Sequence, residues 1–276
     1  MPGINFCAYD GLLVDAFGVL YNHLGAFPES VACVQAMLDA GKPVVVVTNN
    51  TSVSPDAIST RLHAMGMPID PKCIISSGRG LAWDPDARRL VDGKPVFLVG
   101  SDDAFCYVHD AGGERVLDVA QAQAVVLACT SDQADGYAGV IQHKRMRPDV
   151  PIICINPDRY VQANTQRVPV IGHFSEQIER QVGPIHWMGK PLPVFSTVVQ
   201  AYCQTVLGLS LGANWAFVDD NPDNVHQMTQ DLGVQGFVPV ETGLAQSWPT
   251  ALPQSNAWRY IQRLSIDPDV WYNDPS

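Results

Sequence analysis

Four short apolar runs in this chain each end abruptly at a polar group, and this pattern limits the folds that it can adopt. The runs end at Asp15, at Thr48-Asn49-Asn50, at Lys190 and at Asp219-Asp220. Helix-like segments separate the runs, which is typical of buried parallel strands that alternate with helices. The carboxyl ends of parallel strands share one edge of a sheet, where ligands bind. We therefore expect a carboxylate, a hydroxyl, an ammonium and an acidic pair to meet there, a set of groups suited to a phosphoryl ligand.

A second strand–helix series lies between the second and third runs. Apolar segments at 95–99, 124–129 and 152–155 predict three further strands. This series is long enough to form a domain of its own, and Pro- and Gly-rich stretches flank it. The sequence therefore predicts an α/β protein with a doubly wound parallel-sheet core, formed by residues 1–79 and 184–276, and an α/β cap inserted at residues 80–183.

Charge and composition exclude several classes of function. The net charge of −11, from 28 acidic and 17 basic residues, argues against nucleic-acid binding. No apolar run approaches the length of about 20 residues that a membrane helix needs, and residues 1–10 do not resemble a secretory signal. The seven cysteines include no C-x-x-C pair, so we expect reduced thiols in a cytoplasmic protein.

Asp15 is the first candidate for a catalytic group. A carboxylate at the end of a strand can attack phosphorus, or carbon, and form a covalent intermediate. Gly18, three residues later, allows the backbone to turn tightly beside a ligand. An isolated aspartate in this position is more often a loop cap, but its combination with the other three strand ends favours a catalytic role.

The second and third strand ends offer groups that bind phosphate. The Thr48 hydroxyl and the backbone N–H groups that follow it can hold phosphate oxygens, although Thr and Asn are also common in ordinary caps and turns. Lys190 could neutralise charge on a phosphoryl group. Most lysines beside turns are surface residues, but the largely apolar residues 185–188, which precede Lys190, indicate a more buried position.

The acidic pair Asp219-Asp220 is the strongest local signal. Adjacent carboxylates at the end of an apolar strand repel each other unless a cation lies between them. Donors that are all oxygen atoms point to a hard cation, and Mg²⁺ is the expected one. The alternative is an exposed acidic turn, with Asp223, that caps the next helix.

The ordered set Asp15, Thr48, Lys190 and Asp219-Asp220 resembles the four motifs of the haloacid dehalogenase superfamily, most members of which are Mg²⁺-dependent phosphatases. Three further segments, Thr48-Asn49-Asn50, Asn156-Pro157-Asp158 and Gly189-Lys190-Pro191, resemble the class IIA subgroup, which carries a large α/β cap between its second and third motifs. The resemblance covers roughly residues 12–243. Each motif is short, and the specificity lies in their order and in the position of the cap.

The resemblance implies a hydrolase that acts on a small phosphorylated metabolite and uses Mg²⁺. It also implies that two copies can pair through their caps. The roles that it implies are the following: Asp15 as nucleophile and metal ligand; Lys190 as the catalytic ammonium; Thr48, Asn49 and Asn50 as phosphate-binding residues; Asp219, Asp220 and the Phe17 backbone carbonyl as further metal ligands; and Asn156 and Asp158, near Gly172, as substrate-binding residues of the cap.

Phe17 is a departure from the family pattern, because phosphatases of this family usually have a second aspartate at that position. That aspartate protonates the leaving group and later activates water. Three alternatives follow. The protein is a phosphatase that is slow, needs a good leaving group or borrows an acid from the cap; or it binds a phosphoryl ligand with little or no turnover; or it is a metal-free hydrolase of the haloacid dehalogenase type.

The candidates for a borrowed acid are His173, Glu176 and Asp158. The metal-free alternative rests on Asp15-Ala16-Phe17-Gly18, which also resembles the first motif of the dehalogenases proper. The pair Asp219-Asp220 argues against it, since two carboxylates are out of place in a metal-free site for an anionic substrate.

Overall fold

The computed structural model describes residues 4–130, 134–163, 166–243 and 258–265. Its strands are β1 (Gly11–Val14), β2 (Tyr21–Asn22), β3 (Gly25–Ala26), β4 (Val44–Thr48), β5 (Ile74–Ser76), β6 (Pro95–Val99), β7 (Glu114–Val116), β8 (Ala124–Leu127), β9 (Ile152–Cys154), β10 (Tyr160–Ala163), β11 (Gln166–Pro169), β12 (His186–Trp187), β13 (Trp215–Val218), β14 (Gln235–Pro239) and β15 (Trp258–Ile261).

The α-helices are α1 (Pro28–Asp39), α2 (Pro55–Ala64), α3 (Gly80–Trp83), α4 (Pro85–Val91), α5 (Phe105–Asp110), α6 (Ala134–Met146), α7 (Ile171–Val182), α8 (Pro193–Thr205) and α9 (Pro222–Leu232). Short 3₁₀ helices occur at Phe6–Ala8, Pro71–Cys73, Ser77–Arg79 and Val119–Gln121. No helix within the described ranges is both long enough and apolar enough to cross a bilayer.

The chain divides into two compact units. The first consists of Met1–Thr48, Pro55–Ile75 and Val199–Ser276, and the second of Asn49–Ser54 and Ser76–Val198. The second unit includes the whole stretch 80–183 that the sequence predicts as a cap. The limits of that cap as an inserted domain, residues 80 and 183, stay a prediction.

The first unit is built on a six-stranded sheet with the order β15-β14-β13-β1-β4-β5. Strand β1 pairs in parallel with both β4 and β13, and β14 pairs in parallel with β13 and β15. The chain therefore leaves β1 towards one side of the sheet and later returns to its other side. This reversal creates a topological switch point beside β1, and ligands bind at the carboxyl ends of the strands there.

The central strands of this sheet are buried along their whole length. Every residue of β1, β4 and β13 is buried, which explains why the sequence shows continuous apolar runs rather than an alternation. Parallel sheets and intervening helices confirm the predicted α/β class. Helices α1 and α2 each begin with a proline in the first turn.

The second unit has a five-stranded parallel sheet with the order β12-β9-β8-β6-β7. Its apolar core comes from these strands and from the helices α6 and α7, and includes Leu127, Val140, Ile152 and Ile178. A two-stranded antiparallel ribbon, β10–β11, precedes α7. The three strands that the sequence predicts in this region are all present.

The apolar run at 185–189 does not join the sheet of the other three runs. Its only strand residues, His186 and Trp187, form β12 and pair with β9 in the second unit. The Trp187 ring packs against the core of that unit, and its indole N–H donates to Glu179 Oε1 at 3.2 Å. The prediction that all four runs lie in one sheet is therefore wrong, because a tryptophan that needs both apolar contact and a polar acceptor finds them in the second unit.

Candidate active site

Asp15 and Asp219 lie side by side at the switch point of the first sheet. Asp15 directly follows β1 and Asp219 directly follows β13, and the last residues of these strands, Val14 and Val218, are paired. The Asp15 backbone N–H donates to Val218 O at 2.8 Å. The register of β1 and β13 is therefore enough to place the two carboxylates side by side at the carboxyl edge of the sheet.

Asp15, Asp219 and Asp220 form a buried carboxylate cluster. Each offers one oxygen, and these atoms all lie within 4.8 Å of one another. The exposed fractions of the three residues are 8%, 0% and 6%. Buried like charges so close together are unfavourable unless a cation or a proton compensates them. Oxygen donors in this number and spacing fit a divalent cation such as Mg²⁺.

Asp219 is also anchored within its own loop. One of its oxygens accepts the Asn221 backbone N–H at 2.9 Å, and the Asn224 side-chain amide donates to both oxygens at 3.1 and 3.2 Å. Asn221, rather than the acidic pair, caps α9 by accepting the Asp223 N–H at 3.0 Å. Asp219-Asp220 is therefore not the exposed, helix-capping turn considered as an alternative.

Two glycines pack directly against the Asp220 carboxylate. Gly18 has φ +93° and Gly243 has φ +63°, values that side chains rarely allow. A Cβ atom added to Gly18 would lie 2.3 Å from Asp220 Oδ2, and one added to Gly243 would lie 1.9 Å from it. The expected tight turn at Gly18 is present, and these two glycines make room for the carboxylate.

Phe17 contributes an apolar side chain to the turn after Asp15. It is half-buried, its backbone bridges to Tyr21, and the two rings meet edge to face with centroids 5.9 Å apart. The phenyl ring carries no proton that it could transfer, as the sequence indicates. Its backbone carbonyl as a metal ligand stays a prediction.

Tyr21 interacts with both Asp15 and Arg61, and sequence reasoning missed both Tyr21 and Arg61. Burial raises the pKa of Tyr21, a hydrogen bond from Arg61 opposes this, and the Asp15 charge raises the pKa further. The Tyr21 hydroxyl is therefore protonated at neutral pH. Tyr21 follows Asp15 by six positions, in a two-residue strand that is too short to show a pattern in the sequence, so only the fold reveals it.

Thr48 ends β4 at the same sheet edge as Asp15. Val14 pairs with Val46, so Thr48 lies two residues further along its strand, and only 3% of it is exposed. This position is compatible with a phosphate-binding hydroxyl.

Asn49 joins Lys190 and Asp158 within the second unit. Its side-chain amide donates to Asp158 Oδ1 at 2.8 Å and to Lys190 O at 2.9 Å, and its Oδ1 accepts the Lys190 backbone N–H at 2.8 Å. The Asn49 side chain is thus occupied in holding two other predicted site residues. We expect any contact of Asn49 with phosphate to come from its backbone.

Asn49→Ala should lower the free energy of unfolding by about 3 kcal/mol, since it removes three hydrogen bonds from a buried position. Urea titration followed by circular dichroism measures the change. Asn50→Ala is the matched control, because it removes the same side chain from the next position, where Oδ1 accepts the Ser52 N–H and hydroxyl two residues away. Equal losses for the two variants would contradict the assigned role of Asn49.

Lys190 is buried, with only 1% of its surface exposed. A lysine is almost never buried unless anionic or hydrogen-bonding groups surround its ammonium. Gly189 precedes it with φ +125°, and a Cβ atom there would lie 2.5 Å from Pro157 Cδ. The close packing of Gly189 on Pro157 therefore fixes the backbone next to Lys190.

The Asn156–Asp158 loop is held by its own polar groups. Asn156 Oδ1 accepts the Asp158 N–H at 3.0 Å, and Asp158 O accepts the Gly172 N–H at 3.0 Å. A Cβ atom on Gly172 would lie 2.4 Å from Asp158 O. Asn156, Asp158 and Gly172 are therefore in one place, as the resemblance implies.

The other proposed donors of a proton have partners in the second unit. His173 contacts the Tyr160 hydroxyl through Nδ1 at 3.2 Å and the Gln177 amide through Nε2 at 2.9 Å. Glu176 forms an ion pair with Arg159.

Four of the seven thiols are unsuited to act as nucleophiles. All seven cysteines are free. Burial raises the pKa of Cys33, Cys106, Cys154 and Cys203 to about 12, and a thiol with such a pKa is protonated at neutral pH.

Comparisons with known proteins show similarity to hydrolases. A family model of haloacid dehalogenase-like hydrolases matches residues 12–114. The dihydroxyacetone phosphatase of Corynebacterium glutamicum (strain R) is 27% identical over 184 residues, which are 66% of this chain and 65% of that protein. The match thus spans about two thirds of the relative's length.

Solved structures show the same fold. A 4-nitrophenylphosphatase from Thermotoga maritima superposes with a TM-score of 0.74 and 19% identity, covering 95% of this chain and 97% of that one. A glycerol phosphate phosphatase from Mycobacterium tuberculosis, solved in complex with calcium, superposes with a TM-score of 0.70 and 20% identity, covering 85% and 67%.

Proposed function

Because the chain belongs to the haloacid dehalogenase-like hydrolases, with the fold of their class IIA phosphatases, we propose that it is a Mg²⁺-dependent phosphatase of small phosphorylated metabolites. The observation that carries this proposal is the buried cluster of Asp15, Asp219 and Asp220. It combines a nucleophile with a set of oxygen donors at the switch point of a parallel sheet.

Asp15, Asp219, Asp220 and the Phe17 carbonyl would hold the cation. When bound, Mg²⁺ supplies positive charge that offsets the negative charge of the phosphate and of the carboxylates. The calcium in the related glycerol phosphate phosphatase supports a divalent cation.

Asp15 forms the covalent intermediate in the proposed reaction. One of its carboxylate oxygens attacks phosphorus, the bond from phosphorus to the leaving oxygen breaks, and the leaving group departs with the electron pair of that bond. The product is an aspartyl-phosphate on Asp15. Water then attacks phosphorus, which releases phosphate and restores the carboxylate.

Phosphate binding is assigned to the second and third strand ends. The Thr48 hydroxyl and the backbone N–H groups at Asn49 and Asn50 donate to phosphoryl oxygens. Lys190 steadies the phosphoryl group by its charge, a role that suits an ammonium buried in the protein. Asn156 and Asp158 shape the choice of substrate.

The substrate class follows from the relatives and from Phe17. The related proteins are named dihydroxyacetone phosphatase, 4-nitrophenylphosphatase and glycerol phosphate phosphatase, which supports a small phosphate monoester. Without an acid at position 17, the leaving oxygen departs largely unprotonated. Esters with good leaving groups are therefore the preferred substrates.

Phe17 also favours a second candidate function, in which the protein binds a phosphoryl ligand with little or no turnover.

The free thiols support a reducing compartment, and the proposal places the protein in the cytoplasm. It further includes a homodimer, which sedimentation velocity tests.

Hydrolysis of 4-nitrophenyl phosphate, with Mg²⁺ and with EDTA, tests the proposed function. We expect turnover that depends on Mg²⁺ and stops in EDTA. Tight binding of Mg²⁺ and phosphate without turnover over a panel of phosphorylated metabolites would support the second candidate instead. Halide release from a haloacid in EDTA would contradict both and support a metal-free dehalogenase.

A further inference from the structure

The turn Glu241–Gly243 packs against the carboxylate cluster from the end of β14. In addition to its approach to Asp220 Oδ2, a Cβ atom on Gly243 would lie 2.5 Å from Asp220 Cβ, and one on Gly18 would lie 3.1 Å from Gly243 Cα. The turn, the loop after Asp15 and the Asp220 side chain thus meet at van der Waals distance. None of the motifs found in the sequence includes this turn.

Thr242, the central residue of this turn, carries a buried hydroxyl with no hydrogen-bond partner within the described part of the chain. Only 4% of the residue is exposed. Asn224, which holds Asp219 by its amide nitrogen, likewise has a buried and unpartnered Oδ1 among the described residues. Buried polar atoms normally have partners. One of these two atoms belongs to Asn224, which holds Asp219, and the other to the residue before Gly243, which packs against Asp220. Both are therefore suited to a polar ligand of the carboxylate cluster.

Arg263, beyond β15, ties this turn to the first helix. Its guanidinium donates to Glu241 Oε2 from Nε at 2.9 Å and to Glu29 Oε1 from Nη1 at 2.8 Å. The backbone supports the same connection, since the Glu241 N–H donates to Gln262 O at 2.9 Å. Arg263 therefore fixes Glu241, and through it the backbone of Thr242 and Gly243.

We propose that the Glu241–Gly243 turn is a further wall of the cation site, with Thr242 as a ligand-facing group and Arg263 as its positioning residue. The inference rests on the proposed function, since it assumes that the three carboxylates bind a divalent cation. The Thr242 hydroxyl orients the water or the phosphate oxygen that accompanies the cation. Arg263 touches neither ligand and acts only through Glu241.

This role connects β15, at the edge of the sheet, with the cation site. Groups that orient the ligands of a metal typically contribute a factor of about 10–100 to its affinity. A role limited to packing would change stability and leave the cation affinity as it is.

Isothermal titration calorimetry, which measures the affinity of the full-length protein for Mg²⁺, tests the inference without relying on activity. We expect Thr242→Val and Arg263→Met to weaken Mg²⁺ binding about tenfold or more, and Thr242→Ser and Arg263→Lys to restore part of it. Arg259→Met is the matched control. It removes the same charge from an exposed position on β15, four residues earlier, and we expect wild-type affinity.

The outcomes separate the two proposals. If the wild type binds Mg²⁺ and Thr242→Val binds it as tightly as Arg259→Met does, the inference is overturned and the proposed function stands. If the wild type does not bind Mg²⁺, both fail. Should Arg263→Met unfold, the two Thr242 variants decide the question alone, because Thr242→Val replaces the hydroxyl by a methyl group of similar size and Thr242→Ser keeps the hydroxyl.

Discussion

Asp15→Asn is expected to lower kcat for 4-nitrophenyl phosphate by more than about 10⁴-fold, as is typical when a nucleophile is removed. The amide cannot attack phosphorus, and it also removes one negative charge from the cation site. Acid quenching during turnover should trap a phosphorylated protein in the wild type. Hydroxylamine, which cleaves acyl phosphates, should release the phosphate from that protein.

Asp223→Asn is the control for the loss of a carboxylate near the site. Asp223 is exposed in the first turn of α9, so this change removes the same charge without touching the buried cluster. We expect nearly wild-type activity. If Asp15→Asn keeps a tenth of wild-type activity, or if no phosphorylated protein is trapped in an active wild type, the covalent pathway through Asp15 is wrong.

The carboxylate cluster could be predicted from the sequence because it depends on simple rules. Asp15 and Asp219 each follow a continuous apolar run, and in a parallel sheet such residues emerge on one edge. The pairing of Val14 with Val218 then places them together without any further information.

Lys190 shows where the same rules fail. An apolar run of five residues predicts a strand but not the sheet to which the strand belongs. The observed strand has only two residues, and the side chain of Trp187 determines its place through contacts with the second unit. Such contacts depend on shape, which the apolar pattern does not record.

Residues that act over long separations could not be predicted either. Asn49 contacts Lys190 across 141 positions, and Arg263 contacts Glu29 across 234. Thr242 and Gly243 are an exception, because they follow β14 and the rule that ligand-binding residues follow strand ends could have identified them. That strand contains a glycine and ends in a proline, which weakens its pattern.

Phe17→Asp is expected to raise kcat for an alkyl phosphate such as glycerol phosphate by about 10²–10⁴-fold, the usual contribution of a general acid and base. The new carboxyl group would lie two residues after Asp15, in the turn that Gly18 closes. The gain for 4-nitrophenyl phosphate should be much smaller, because its leaving group departs without a proton. The ratio of the two rates therefore measures the acid directly.

Phe17→Asn separates proton transfer from the loss of the aromatic ring. It removes the edge-to-face contact with Tyr21 just as Phe17→Asp does, and it has nearly the same shape, but it offers no acidic proton. We expect no gain for this variant with either substrate. A gain equal to that of Phe17→Asp would mean that the phenyl ring merely obstructs the site.

A folded Phe17→Asp variant that binds Mg²⁺ and shows no gain with the alkyl phosphate would leave two explanations. Either the proton comes from another residue, with His173, Glu176 and Asp158 as the candidates, or the reaction is not phosphate ester hydrolysis.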